Sequence, residues 1–186
     1  MFSESKPEQL HSRHPFSPTR PASANEDAID TALDVVALDC EMIYTTAGMS
    51  VARVSVVDGS GRPVFDQFVR LDDGVEIMFV FCLLHLPHIL MSQNSDYNTR
   101  FSGVSTENHS SAVLTLTSIR TSLDALINSD TILIGHALDN DLKTLRIVHH
   151  RCVDSAHLFP HNAGPPYKRS LRELWVPIIL SRLKVW

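Results

Sequence analysis

The sequence predicts an α/β fold in which a mixed sheet opens with an antiparallel meander and is flanked by helices. Three observations carry this expectation. A continuous apolar run at residues 35–38 leads into Asp39-Cys40-Glu41-Met42 and suits a strand buried on both faces. Two further stretches, 50–57 and 63–69, read as strands on either side of Asp58-Gly59-Ser60-Gly61, a turn sequence. A stretch with helical spacing, a short apolar run and a second helical stretch then follow, so helices and another buried strand come after the meander.

Taken in order, residues 1–25 are rich in Ser, Pro, His and charge, with prolines at 7, 15, 18 and 21. Such a segment buries too little apolar surface to offset its chain entropy, and a disordered leader is expected there. Residues 26–34 read as a short helical lead-in to the first strand. After the acid pair, residues 43–49 read as a loop. In residues 116–127 the apolar positions Leu116, Ile119, Leu123, Leu126 and Ile127 recur at 3-and-4 spacing and define one buried helix face. Asp130-Thr-Ile-Leu-Ile134 is then a buried strand, Gly135 permits a turn, and residues 137–148 form a helix with Leu138, Leu142 and Leu145 directed inward.

The 186 residues allow one domain plus a tail, and a hydrophobic content of 44% is enough for its core. A formal net charge of -5 excludes a general basic surface as the means of holding nucleic acid, so any such contact is local. Cys40, Cys82 and Cys152 are odd in number and lack zinc-ligand spacing, which suits a reducing intracellular compartment. The N-terminus has no charged start followed by an apolar signal core.

Side chains alternate along a strand, so Asp39 and Glu41 share one side while Cys40 takes the other. Two acids on one face repel each other unless a cation lies between them. Hard divalent ions such as Mg²⁺ or Mn²⁺ take carboxylate oxygens and leave room for phosphate, so the pair reads as half of a metal-dependent phosphoryl-transfer site. The alternative is a strand end with two solvated acids.

Val36-Ala-Leu-Asp-Cys-Glu-Met42 resembles the first motif of the DEDD 3′-5′ exonucleases, and most closely their Rex-type RNA exonuclease group. Leu133-Ile-Gly-His-Ala-Leu-Asp-Asn-Asp-Leu142 resembles that group's second motif. Asp96-Tyr-Asn-Thr-Arg-Phe-Ser-Gly103 and Gly164-Pro-Pro-Tyr-Lys-Arg-Ser-Leu171 are similar to its linking and later blocks, and the four occur in the right order. The resemblance places an exonuclease domain at residues 33–174 and implies a ribonuclease H-like fold. It implies Asp39 as a ligand shared by two Mg²⁺ or Mn²⁺ ions, Glu41 as a ligand on the nucleophile side and Asp141 on the leaving-group side. These three acids are also the catalytic residues it implies. Met42 would pack near the terminal nucleotide, with a core methionine as the other reading. Tyr167, Lys168 and Arg169 combine a ring that stacks on bases with cations that suit phosphate, against a reading as a solvated loop.

The chain departs from the family twice. Residues 78–95 intervene between blocks that the family joins almost directly. They are strongly apolar, too short to span a bilayer and contain Pro87, so they read as an intron translated in frame, with a genuine buried or partner-binding insertion as the alternative. Residues 175–186 form a non-family tail where the resemblance implies a third motif with a general-base His and a fourth Asp, so the fold is expected to be incomplete at the C-terminus. His136 to Asp141 has similar spacing, but its setting matches the second motif. His149, His150, His157 and His161 read as solvated rather than as replacements, and Asp154 as a structural hydrogen-bonding group.

The expected function is a 3′-5′ exoribonuclease acting on RNA 3′ ends in processing or turnover, impaired in this chain, with no membrane association. A non-catalytic nucleic-acid-binding or interaction fragment is the alternative from another class, and a DNA proofreading exonuclease a third reading. Family resemblance implies a nuclear location, with the cytoplasm as a further possibility.

Overall fold

The computed structural model describes residues 14–23, 30–78 and 99–174. Its centre is a six-stranded sheet in the order β5 (Leu114–Thr115), β4 (Pro63–Arg70), β3 (Gly48–Asp58), β2 (Val35–Thr45), β6 (Ile132–Gly135), β8 (Cys152–Asp154). Strands β2, β3 and β4 form the expected antiparallel meander. Parallel strands β6 and β8 extend it on one side, and short β5 closes the other. The mixed α/β architecture follows the sequence expectation.

The main core lies between one face of this sheet and two helices. Val36, Leu38 and Cys40 of β2, with Val54 and Val56 of β3, pack against Ile119 and Leu123 of a helix at Leu116–Asp124 and Leu138 and Leu145 of a helix at Leu138–Leu145. Each fully buried Leu or Ile contributes about 1.5–3 kcal/mol. In chain order, helices among the described residues include α1 (Thr99–Ser102), α2 (Thr106–Ser110), α3 (Leu116–Asp124), α4 (Leu138–Leu145) and α5 (Ser155–Leu158), and residues 171–174 are helical as well. Thr115 caps α3 by accepting the Ser118 N–H at 3.2 Å. Ser105 and Asn108 form a reciprocal capping box on α2. At the meander turn, Asp58 Oδ1 accepts from Ser60 N and Arg62 N, which ties the hairpin.

Strand β2 does not stop at the acids. The expected loop at residues 43–49 is instead continued strand and a two-residue turn at Thr46-Ala47. A register shift between Glu41 and Met42, with Ala52 as the extra residue on β3, moves burial from even to odd positions. Ile43 thereby packs with Ala52 and Val104 in a second small cluster. Thr45, also buried, donates from Oγ1 to Gly48 O at 2.7 Å, and Gly48 takes φ +100°.

The N-terminal expectation is also corrected. Residues 14–23, within the segment read as disordered, form a strap along the body. Strand β1 (Ser17–Pro18) pairs in parallel with β7 (Ile147–Val148). Thr19 bonds His149, Arg20 pairs with Asp30, and the Arg146 guanidinium lies 5.0 Å over the Phe16 ring. These are specific pairings to distant residues, so no apolar run announces them. Helix α4 correspondingly ends at Leu145 rather than continuing to 148, because Arg146 turns left-handed (φ +59°) and its carbonyl accepts the Ser17 N–H. Residues 30–34 are not helical. The expected insertion, apart from Met78, and the tail at 175–186 lie outside the described residues. Among the described residues, no helix is long and apolar enough to cross a membrane.

Candidate active site

Asp39 and Glu41 lie on the face of β2 opposite the main core, and Cys40 between them is buried in that core. Asp39 is exposed and Glu41 half-buried. Asp141, in the first turn and a half of α4, is 5% exposed, and its Oδ1 accepts the main-chain N–H of Cys40 at 3.1 Å. That N–H is available because β6 pairs with β2 only as far as Ala37. One hydrogen bond therefore joins the second acidic motif to the middle of the first.

The charge of Asp39 reaches both of the other carboxylates. Burial, then the charge of Asp39, pushes the Asp141 carboxyl up to about 7, against the opposing Cys40 hydrogen bond. Burial and Asp39 also raise Glu41, while Arg53 opposes them. The Cys40 thiol is pushed well above its usual range by burial and by the neighbouring acids. An all-oxygen donor set whose members repel one another suits a hard divalent cation. Among the described residues, however, no three His, Cys, Asp or Glu side chains are gathered into a finished metal cage. The chemistry of the donors fits such an ion, while the side-chain arrangement stops short of a coordination shell.

Arg53 was not singled out in the sequence. It faces Glu41 across the β2–β3 pair, grips Asp66 through Nε at 2.7 Å and a terminal nitrogen at 2.6 Å, and lies 5.4 Å over the Phe68 ring. The alternation of β3 puts Arg53 and Ser55 on one face, and the pairing register then sets them beside Glu41 and Asp39.

The other sequence candidates divide. Met42 packs against the main core, as its core reading had it. Lys168 bonds Asp139 at 2.9 Å, two residues from Asp141, so its loop is tied to the helix that carries that acid. Tyr167 is 64% exposed, with its ring 5.8 Å from that of His161, and Arg169 bonds Asn162. Neither Tyr167 nor Arg169 is placed on the acids by these contacts. His149 is buried rather than solvated, between Thr19 and Thr131 O. His157 is exposed beside Asp154.

No family model matches the chain. The chain is 43% identical over 145 residues to the human RNA exonuclease 1 homolog, covering 78% of this chain and 10% of that protein. It is 35% identical over 166 residues to RNA exonuclease 3 of Schizosaccharomyces pombe, covering 89% of this chain and 26% of that one. It thus spans a tenth to a quarter of these relatives. The Saccharomyces cerevisiae Pan2 pseudoubiquitin hydrolase-RNA exonuclease module, in complex with AAGGAA RNA, shares its fold with a TM-score of 0.56 at 19% identity, over 84% of this chain and 26% of that one. Sheet, flanking helices and relatives together define a DEDD-type exonuclease domain with a ribonuclease H-like fold. Within that class, the chain belongs to the Rex-type RNA exonuclease family.

Proposed function

We propose that the chain carries a 3′-5′ exoribonuclease site that hydrolyses RNA 3′ ends in processing or turnover, with Asp39, Glu41 and Asp141 holding two Mg²⁺ or Mn²⁺ ions. The observation that carries this reading is the buried Asp141 carboxylate set on the main chain between Asp39 and Glu41. Divalent ions in an all-carboxylate set supply an activated water and offset the charge of the phosphodiester undergoing cleavage. The chain's own part is to fix the helix acid Asp141 against the main chain between the strand acids Asp39 and Glu41, with Arg53 balancing the charge of Glu41. Tyr167, Lys168 and Arg169 then contact the RNA strand upstream, and the RNA held by the Pan2 module supports that substrate class. A nuclear location is carried over from the resemblance alone.

Among the described residues no histidine is set as a base beside the acids, since His136 bonds Ser155, His149 lies between Thr19 and Thr131 and His157 stands beside Asp154, so little or no activity is proposed for the described domain by itself. General acid-base catalysis contributes on the order of 10² to 10⁴ in rate. The commitment of His149 to Thr19 and Thr131 favours the second reading, a non-catalytic RNA-binding fragment, for this polypeptide by itself.

The test is digestion of a 5′-labelled RNA oligonucleotide with Mn²⁺ or Mg²⁺, beside an Asp39→Ala control. A ladder shortening from the 3′ end and absent in the control supports the exonuclease and removes the impairment. Asp39-dependent Mn²⁺ binding without cleavage supports the impaired site. Neither binding nor cleavage by folded chain defeats both.

A further inference from the structure

Helix α4 starts badly by its own means. Its N-cap, Ala137, is a non-glycine residue in the left-handed region (φ +55°) and has no side chain with which to cap. That conformation costs about 1–2 kcal/mol for an L-residue, and the first N–H groups of a helix need outside acceptors. Asp154 supplies them. It ends β8 beside Gly135 of β6, its side chain is 10% exposed, and its Oδ1 accepts Ala137 N at 2.8 Å while Oδ2 accepts Leu138 N at 3.1 Å. The same Oδ1 accepts Ala156 N at 2.8 Å, so one carboxylate caps both α4 and its own helix α5. Next to it, Ser155 donates from Oγ to Gly135 O at 3.0 Å and lies 2.8 Å from His136 Nδ1. Residues 135–138 are therefore gripped from the β8–α5 junction.

Four residues beyond Ala137 stands Asp141, whose carboxylate reaches Cys40. On the reading that Asp141 is a metal ligand, we propose that Asp154 is a positioning residue for it, holding the strained turn at Ala137 so that α4 presents Asp141 to the Asp39–Glu41 strand. A purely structural cap would lower stability and leave the placement of Asp141 unchanged. The two roles are separable because the Cys40 amide reports on Asp141 without any metal.

Asp154→Asn leaves one oxygen for the N–H groups and turns an NH₂ toward the rest. We expect exchange of the Cys40 amide to rise about tenfold while that of Val54 in β3 stays unchanged. Mn²⁺ affinity falls on the order of tenfold in the same variant. Adding Ala137→Gly restores most of both, since glycine adopts a positive φ without the Cβ penalty. A lower melting temperature with Cys40 exchange at the wild-type rate overturns the proposal, as does failure of Ala137→Gly to restore it. Should Asp154→Asn fail to fold, the double variant carries the measurement, and its failure to fold also counts against the proposal. Absence of Asp39-dependent Mn²⁺ binding in the wild-type chain defeats the metal-site reading instead, while Cys40 exchange still judges the role of Asp154.

Discussion

The main-chain N–H of Cys40 is donated to Asp141 Oδ1 at 3.1 Å, between residues 101 apart in the chain. The bond sets the helix acid at a fixed height against the strand acids. It also makes Asp141 do two jobs, as acceptor for a buried N–H and as a charge beside Asp39.

Substitution separates the two jobs. Asp141→Asn keeps an acceptor for Cys40 and removes a poorly solvated charge, so the metal-free variant is expected to melt at or above the wild-type temperature. Asp141→Ala leaves the Cys40 N–H unpaired, which costs about 1–3 kcal/mol. With the proposed metal site, the wild type is expected to melt higher in Mn²⁺ than in EDTA, and both variants to lose that rise. If Asp141→Asn kept the Mn²⁺ shift, Asp141 would leave the ligand set.

Gly135 is required by close approach. A Cβ there would stand 2.7 Å from Leu138 Cδ1 and 3.2 Å from Leu38 O, and the second contact is backbone that cannot step aside. Gly135→Ala is expected to lower stability by about 1–3 kcal/mol, the usual cost of overpacking, read as a lower urea midpoint. An unchanged midpoint would mean that β6 and β2 separate more easily than this packing suggests.

The strap makes an acid-sensitive contact. The Arg20 guanidinium, then the Ala32 N–H and the Asn128 amide, hold the Asp30 carboxyl well below the usual range. A depressed folded-state value means the contribution is fully present above the unfolded pKa of about 3.9 and is lost as pH falls below it. Urea midpoints should therefore fall more steeply below about pH 4 in the wild type than in Asp30→Asn. Parallel curves would show that the strap contributes nothing through this pair.

The strap also shows where sequence reading stops. Residues 35–42 and the 3-and-4 spacing of α3 announce themselves locally, and family resemblance pairs Asp141 with Asp39 and Glu41 from sequence alone. Ser17 to Arg20 carry no such pattern: their contacts with Arg146, His149 and Asp124 are single long-range hydrogen bonds. The extra residue Ala52 likewise leaves no local mark, so the strand appeared to end at its acids when it continues to Thr45. Arg53 escaped for the same reason, since its position opposite Glu41 depends on a register that alternation alone does not set.

Tyr167 and Lys168 lie on the proposed RNA path. Tyr167 is exposed and leans on His161 at 42°, so one ring face is already oriented, and Lys168 is anchored through Asp139 to α4. Stacking of a base on an aromatic ring is worth about 1–3 kcal/mol, so Tyr167→Ala should weaken binding of single-stranded RNA by roughly 5- to 150-fold. Loss of one phosphate contact in Lys168→Ala should reduce the salt slope by about 0.7. Both are measured by fluorescence anisotropy over a salt series, in an Asp39→Ala background that prevents degradation. The two losses differ in kind, because stacking changes affinity at every salt concentration whereas the lysine changes the slope. If neither substitution alters binding, Tyr167 and Lys168 belong to a solvated tether of α4 and take no part in holding the strand.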